Sequence, residues 1–248
     1  MATKLPNLPL LKPVVDMAEG LVPKYINDIV SNIEDHGNFA IIKKPTCTLG
    51  PAMVNDGCPL ISAIGCALGG ELIQPLRVVN GELVGDGFDR VRGKALGIAV
   101  HKLYVDLVRQ FNPGWVIQSD VHYEAVIEYD GEELMLSFTP DILMGWNGEW
   151  HVVEVKAGRP QASHLLQLAL YWYLLKDYYR IVMAWLVTKD AITPYKPGHM
   201  GSIVRRGLDY LVTVKRILDK WSNEDISDIR NCQCIGRIID ACSLTKQL

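Results

Sequence analysis

The spacing of apolar residues along the chain predicts a mixture of helices and strands. Apolar positions that recur every three or four residues predict helices over about 14–36, 59–72, 89–110, 162–179 and 202–221. Runs rich in β-branched and aromatic residues predict strands over 115–127, 134–146, 150–156 and 181–188. Between these elements, residues 37–57 are predicted to be irregular, and residues 78–87 are predicted to form a short hairpin or loop that turns at Asn80-Gly81.

This order of elements predicts an α/β fold in which helices flank a mixed sheet. No internal repeat and no long linker divides the chain, so we expect one domain over residues 1–248. Within it we expect an N-terminal helical extension (1–57), the core (58–230) and a cysteine-containing tail (231–248) that packs against the N-terminal part.

Composition narrows the class of protein. Apolar residues make up 49% of the 248 residues and charged residues 21%, which is ordinary for a soluble globular protein. The longest nearly apolar runs, 60–70 and 165–175, are shorter than the roughly 20 residues of a membrane span. The N-terminus does not resemble a signal peptide, so we expect a cytoplasmic protein without membrane contact. The net charge of −3 means that any contact with nucleic acid needs a local basic groove.

One predicted hairpin contains the candidate catalytic residues. Asn147-Gly148 lies between two apolar runs and is typical of a type I′ turn. With these two residues at the centre, cross-strand partners have numbers that sum to 295, so Asp141 faces Glu154 with Cβ atoms roughly 5 Å apart. Lys156 lies two residues further and points to the same side of the strand.

Two carboxylates directly opposite each other destabilise a strand pair, and a divalent cation would remove the conflict. Mg²⁺ or Mn²⁺ prefers oxygen ligands and can bridge two carboxylates and a phosphate. Lys156 would then orient or deprotonate a water molecule, or stabilise charge on the phosphate. The alternative is an exposed hairpin in which Lys156 only screens the two acids.

These residues resemble a known nuclease motif. Pro140-Asp141, twelve further residues and Glu154-Val155-Lys156 are similar to the core of the PD-(D/E)xK nucleases. The resemblance implies a restriction-endonuclease-like core. It also implies that Asp141, Glu154 and the backbone carbonyl of Val155 hold the metal, with Lys156 as a catalytic residue.

Two further motifs resemble the RecB-like branch of that family. Gln167 and Tyr171, four residues apart on a predicted helix, are similar to its Gln-x-x-x-Tyr motif and would support the active site or the DNA. Gly93, Gly97 and His101 form a stripe similar to its Gly-x-x-x-His element, in which the histidine is a further metal ligand. The glycines would let a backbone or a ligand approach closely. The alternatives are a core tyrosine and a surface histidine.

Six cysteines lie in two groups, and we expect metal ligands or buried thiols rather than disulfides. This arrangement resembles the fourth CRISPR-associated (Cas) protein family, RecB-like exonucleases that hold an iron–sulfur cluster. The resemblance implies a 4Fe–4S or 2Fe–2S cluster on four ligands: Cys58, Cys232, Cys234 and Cys242. Cys58 is preferred over Cys47 and Cys66 because Pro59 would make it a helix N-cap. The spacing Cys-x-Cys-x₇-Cys is narrower than is usual in that family, and zinc or reduced thiols are the alternatives.

The resemblance implies a Mg²⁺- or Mn²⁺-dependent deoxyribonuclease that acts on single-stranded DNA or DNA ends in CRISPR spacer acquisition. DNA and CRISPR adaptation integrase proteins would be its partners. The alternatives are a DNA-binding assembly subunit that does not cut, and a repair or restriction-type endonuclease on the same core. The basic residues expected to contact the DNA backbone are Lys94, Lys102, Arg159, Arg205 and Arg206.

Overall fold

A computed structural model describes residues 4–44, 47–80 and 82–221 of the chain. The helices are α1 (Lys12–Ala18), α2 (Val22–Val30), α3 (Pro59–Ala67), α4 (Phe88–Phe111), α5 (Ala162–Leu175) and α6 (Gly201–Trp221). The first five strands are β1 (Ile33–Asp35), β2 (Ala40–Lys43), β3 (Gly70–Ile73), β4 (Arg77–Val79) and β5 (Glu82–Val84). The remaining strands are β6 (Val116–Gln118), β7 (Tyr123–Tyr129), β8 (Glu132–Phe138), β9 (Ile142–Trp146), β10 (Glu149–Lys156), β11 (Ile181–Thr188) and β12 (Ile192–Tyr195).

A five-stranded mixed sheet in the order β12-β11-β10-β9-β6 forms the centre of the fold. β10 and β11 are parallel because α5 connects them as a crossover, while the other neighbouring strands are antiparallel. β10 and β11 carry valine and other apolar residues on both faces, as expected for strands covered on both sides.

Helices cover both faces of this sheet. Side chains of α5 and α6 pack with Leu143, Val152 and Leu186 on one face. Side chains of α1 and α4 pack with Val153 and Val155 on the other. The sequence-based prediction of an α/β fold with a mixed sheet flanked by helices is therefore confirmed. Within the described ranges, no helix has the length and apolar character needed to cross a membrane.

The N-terminal part contains strands that the apolar pattern did not indicate. The predicted helix over 14–36 ends at Val30, and the predicted helix over 59–72 ends at Ala67. Beyond these ends, β1 and β3 pair with β2, which lies in the segment predicted to be irregular. The prediction was wrong here because these strands are short and are held by pairing with residues distant in sequence. The hairpin at Asn80 is confirmed, since β4 pairs with β5.

Two of the predicted long strands, over 115–127 and 134–146, are each broken into two shorter strands. Residues 134–146 form β8 and β9, separated at Pro140, which has no N–H to donate to a neighbouring strand. Residues 115–127 form β6 and β7, separated near Asp120, whose φ is +58°. β7 and β8 pair with each other as a separate hairpin outside the central sheet, and β12 was not predicted.

Candidate active site

The turn between β9 and β10 has the geometry that the sequence predicts. Asn147 and Gly148 have φ of +49° and +78°, as a type I′ turn requires. The pairs run from Trp146 with Glu149 to Ile142 with Val153, so every pair sums to 295. Asp141 precedes the first residue of β9, and the same register continued by one residue places it opposite Glu154.

Asp141 is held by β10 and by α4. The Val155 N–H donates a hydrogen bond of 2.7 Å to Asp141 Oδ2. On the other side, His101 Nε2 donates to the backbone carbonyl of Asp141 at 3.2 Å and lies 3.8 Å from Asp141 Oδ1. The structure thus brings His101 to the aspartate, as predicted. In this state its Nε2 carries a proton, so ligation of a metal through that nitrogen requires loss of this hydrogen bond.

Glu154 is a buried acid, and among the described residues its ion-pair partner is Lys156. Its side chain is 0% exposed, and Lys156 Nζ lies 2.6 Å from Glu154 Oε1. Apart from this ion pair, neither carboxylate oxygen accepts a hydrogen bond in good geometry from a described residue. Burial and the negative charge of Asp141 raise the pKa of Glu154, and Lys156 only partly opposes this shift. Burial lowers the pKa of Lys156, but the charges of Glu154 and Asp141 outweigh it and leave that pKa raised.

Gln167 and Tyr171 lie on the face of α5 next to this pair. Gln167 Nε2 donates to the Tyr171 hydroxyl at 2.7 Å, and Asn55 Nδ2 donates to Gln167 Oε1 at 2.7 Å. Burial raises the pKa of Tyr171, and the negative charges of Glu154 and Asp141 raise it further. The two residues of the predicted motif are therefore in contact beside the buried glutamate.

Two adjoining pockets form a cleft along α4. The first, which we call the His101 pocket, has a volume of about 680 Å³ and is lined by His101, Asp141 and Lys156. The second, the Glu71 pocket, has about 750 Å³ and is lined by Glu71 and Arg90. The residues common to both are Gly93, Lys94, Lys156 and His164.

Glycines form one wall of this cleft. A Cβ atom added at Gly93 or Gly97 would meet no atom within 4 Å, so the space beside them is open to a ligand rather than filled by a backbone. Of the basic residues expected to contact DNA, Lys94, Lys102 and Arg159 line the His101 pocket. Arg205 and Arg206 lie on α6 and line neither pocket.

The chemistry of the donors fits a divalent cation. His101 lies 3.8 Å from Asp141, and Asp141 lies close enough to the buried Glu154 to raise its pKa, so two acids share the single Lys156 ammonium among the described residues. Over residues 4–44, 47–80 and 82–221, no three His, Cys, Asp or Glu side chains are already arranged around one point. The reason is visible in the contacts: Val155 N–H holds Asp141, and the Lys156 ammonium lies against Glu154.

The cysteines depart from one expectation. Cys47 and Cys66 form a disulfide, so the prediction that the cysteines avoid disulfides was wrong for this pair. β2 and β3 bring them together, because Lys43 and Gly70 are paired and the two cysteines flank that pair.

Cys58 is the N-cap of α3 with Pro59 at the first helical turn, as predicted. Cys58 is also disulfide-bonded, so the expectation that the cysteines avoid disulfides was wrong for it as well, and a cluster on Cys58 would require reduction of that bond. The other predicted ligands, Cys232, Cys234 and Cys242, lie outside the described residues, as does the tail over 231–248. The cluster therefore stays a prediction.

Two residues of the cleft were not identified from the sequence. His164 lies three residues before Gln167 and seven before Tyr171, so helical spacing could have placed it on the same stripe. Glu71 lies in a strand that the apolar pattern did not predict, and its ion pairs join residues far apart in sequence. No local signal could have indicated these ion pairs of Glu71.

Comparison with known proteins adds little. No protein-family profile and no curated protein sequence matches the chain. Among solved structures, the chain is similar to the crystal structure of SSO0001, with a TM-score of 0.42 and 17% identity over 79% of this chain and 86% of that one. A likeness of this size carries no argument about function.

Proposed function

We propose that the chain is a metal-dependent deoxyribonuclease whose active site comprises Asp141, Glu154, Lys156 and His101. The observation that carries the proposal is Glu154, a fully buried carboxylate beside the charge of Asp141, for which the described residues supply one ion-pair partner, the Lys156 ammonium at 2.6 Å. A purely structural role does not explain a fully buried carboxylate beside a second acid. Acids with a shifted pKa beside a cleft are typical of functional sites.

Asp141, Glu154, the Val155 carbonyl and His101 would hold Mg²⁺ or Mn²⁺. When bound, the cation supplies positive charge that acidifies water and balances charge on the phosphate. Hydrolysis joins the oxygen of water to phosphorus and breaks one phosphorus–oxygen bond to a sugar. The leaving sugar oxygen takes one proton of that water, and the other stays with the new phosphate monoester.

Lys156 acts as a cation in this scheme. The charges of Glu154 and Asp141 outweigh burial and keep its pKa raised, which favours orienting water or stabilising phosphate charge over removing a proton. Gln167 and Tyr171 hold the wall of the site beside Glu154 through their mutual hydrogen bond. Lys102 and Arg159 supply positive charge for a DNA backbone, whereas Lys94 lines the same pocket but is paired with Glu71.

We further propose a cytoplasmic role on single-stranded DNA or DNA ends during CRISPR spacer acquisition, with adaptation integrase proteins as partners. This part rests on the resemblance of the three motifs and of the cysteines. An iron–sulfur cluster on Cys58 and the three C-terminal cysteines would make anaerobically purified protein brown, and Cys232→Ala should remove the colour. Iron-free, colourless wild-type protein that cuts DNA normally would refute the cluster alone.

A cleavage assay tests the proposal. Single- and double-stranded DNA, labelled at either end, would be incubated with the chain in Mg²⁺, Mn²⁺ or EDTA. We expect cleavage of single strands or of duplex ends in Mg²⁺ or Mn²⁺ and none in EDTA. Internal cuts in a closed circular duplex would favour the endonuclease alternative. Tight DNA binding without cleavage in either metal would favour the assembly-subunit alternative and refute the proposed activity.

A further inference from the structure

His164 occupies a position that the proposed mechanism leaves unused. It is the third residue of α5 and lines both pockets of the cleft together with Lys156. Its side chain is partly buried, so one edge of the ring packs against the protein while the residue still borders the open space.

The orientation of the ring is fixed by a helix cap. The backbone N–H of Gln161 donates to His164 Nδ1 at 3.2 Å, and the side chain of Gln161 accepts from the first turn of α5, which completes a capping box. A ring nitrogen that accepts a hydrogen bond carries no proton, so the proton of the neutral imidazole is on Nε2. Burial, helped by the positive charge of Lys156, lowers the pKa of His164 to about 4, and the ring is therefore neutral near pH 7.

The Nε2–H is left for a ligand. Among the described residues, the only hydrogen bond of the His164 ring is the one at Nδ1. Nε2 is also absent from the fully buried atoms that lack a partner, so it is reached by solvent from the cleft. A glutamate at this position would cap the helix equally well but would offer no donor. Histidine adds a donor on the edge of the ring opposite the cap.

The surroundings favour an anionic acceptor next to His164. The His101 pocket is lined by Lys156 and Arg159, which precede α5 in the chain, and by Lys102 of α4, while its acidic residues are Asp120 and Asp141. Helix N-termini and basic side chains both favour anions. A neutral donor adds a hydrogen bond there without adding another positive charge beside Lys156, whose ammonium is already confined.

We propose that His164 Nε2–H donates a hydrogen bond to a non-bridging oxygen of the DNA phosphate that lies beside Lys156, and so orients that phosphate for attack. This inference rests on the proposed nuclease function and adds a substrate-binding residue to it. The role differs from that of Gln167 and Tyr171, whose polar groups bond to each other and to Asn55 rather than to the open cleft.

Two substitutions separate the cap from the proposed phosphate contact. In His164→Asn, the side-chain oxygen can take the place of Nδ1 and keep the cap, but no donor reaches the position of Nε2. In His164→Gln, the amide N–H can reach the position of Nε2. We expect kcat/KM for DNA cleavage to fall about 10- to 100-fold in His164→Asn at an unchanged melting temperature, and to recover largely in His164→Gln.

Phosphorothioate substrates give a readout that a purely structural role would not change. Sulfur in place of one non-bridging oxygen is a poor hydrogen-bond acceptor, so wild-type protein should cleave one diastereomer more slowly than the other. That difference should shrink in His164→Asn, measured in Mn²⁺ for both proteins. Normal cleavage by His164→Asn, or an unchanged ratio between diastereomers, would overturn the role of His164 alone. Absence of cleavage by the wild-type chain would overturn the nuclease proposal and this inference together.

Discussion

Glu71 and Glu154 are two largely buried glutamates near the same cleft. Their carboxylates differ in the number of ion-pair and hydrogen-bond partners. Glu71 accepts from Arg90 Nε at 3.0 Å through one oxygen and from Lys94 Nζ at 2.5 Å through the other. Burial alone would raise the pKa of Glu71, but the charges of Lys94 and Arg90 outweigh it and lower that pKa to about 2. Among the described residues, Glu154 has a single ion-pair partner, the Lys156 ammonium, and its pKa is raised.

From this difference we infer that Glu71 stabilises the fold, whereas Glu154 binds a cation. A buried carboxylate is tolerated when cations and hydrogen bonds surround it, as they do at Glu71. Glu154 lies opposite a second acid, which makes a further positive charge favourable there. Matched substitutions at the two positions therefore distinguish the two roles.

The largest expected effect is on catalysis at Glu154. Glu154→Gln removes one of the two carboxylates that would hold the metal, so the rate of metal-dependent cleavage should fall roughly 10³-fold or more. Glu71→Gln should keep most of its activity when assayed at a temperature where it is folded. Cleavage rates of the two variants check this pair. Equal losses in both, or normal cleavage by Glu154→Gln, would contradict the contrast between the two acids.

The second effect is on stability at Glu71. Its pKa is about 2 in the folded chain and 4.5 as a free side chain, so the ion pairs contribute about 3 kcal/mol, at most, above pH 4.5. Because the folded-state pKa is lowered, this contribution is lost as the pH falls from 4.5 through about 2. Glu71→Gln should thus lower the free energy of unfolding at pH 7 and weaken its decline in acid. Urea titrations measure both, with the exposed Glu128→Gln as control. A stability like that of the control would mean that Glu71 is not a structural anchor.

The third effect is the response of the melting temperature to metal. At a Mn²⁺ concentration about 100 times its dissociation constant, binding would raise the melting temperature of wild type by roughly 5 °C. Glu154→Gln should lose this response, whereas Glu71→Gln should keep it from a lower starting temperature. Thermal melts in Mn²⁺ and in EDTA provide the measurement. The same rise in the melting temperature of Glu154→Gln would mean that Mn²⁺ binds at another site.

The smallest effect is at Gly97, on the wall of the cleft between Lys94 and His101. An added Cβ meets no atom there, so Gly97→Ala should stabilise α4 by about 0.5–1 kcal/mol. The new methyl group lies where the substrate strand would pass, and cleavage should fall several-fold despite the gain in stability. Gly201→Ala, also open but outside the cleft, should leave cleavage unchanged. Unaltered cleavage by Gly97→Ala would place the DNA elsewhere.

Local chemistry explains which parts of the molecule the sequence predicts. The Asn147-Gly148 turn fixes its own register, so the position of Asp141 relative to Glu154 follows from a few neighbouring residues. The break between β8 and β9 at Pro140 could have been predicted in the same way, because proline lacks an N–H. It was missed because the apolar pattern continues across it.

The ion pairs of Glu71 and the β1-β2-β3 sheet depend on contacts between residues that are distant in sequence. The two residues that donate hydrogen bonds to Glu71, Arg90 and Lys94, lie on α4, about twenty positions further along the chain. Apolar spacing gives no information about such partners. The same holds for His164: helical spacing indicates its stripe, but only the packed fold shows that its free edge meets the cleft.

The central claim is that Asp141, Glu154 and Lys156 form the active site of a metal-dependent nuclease. Its most direct test compares wild type with Lys156→Ala on end-labelled single-stranded DNA in Mn²⁺, with Asp141→Ala as a second variant and melting temperatures as the control for folding. We expect wild type to degrade the DNA in Mn²⁺ but not in EDTA, and both folded variants to leave it intact. Undiminished cleavage by both variants would contradict the site.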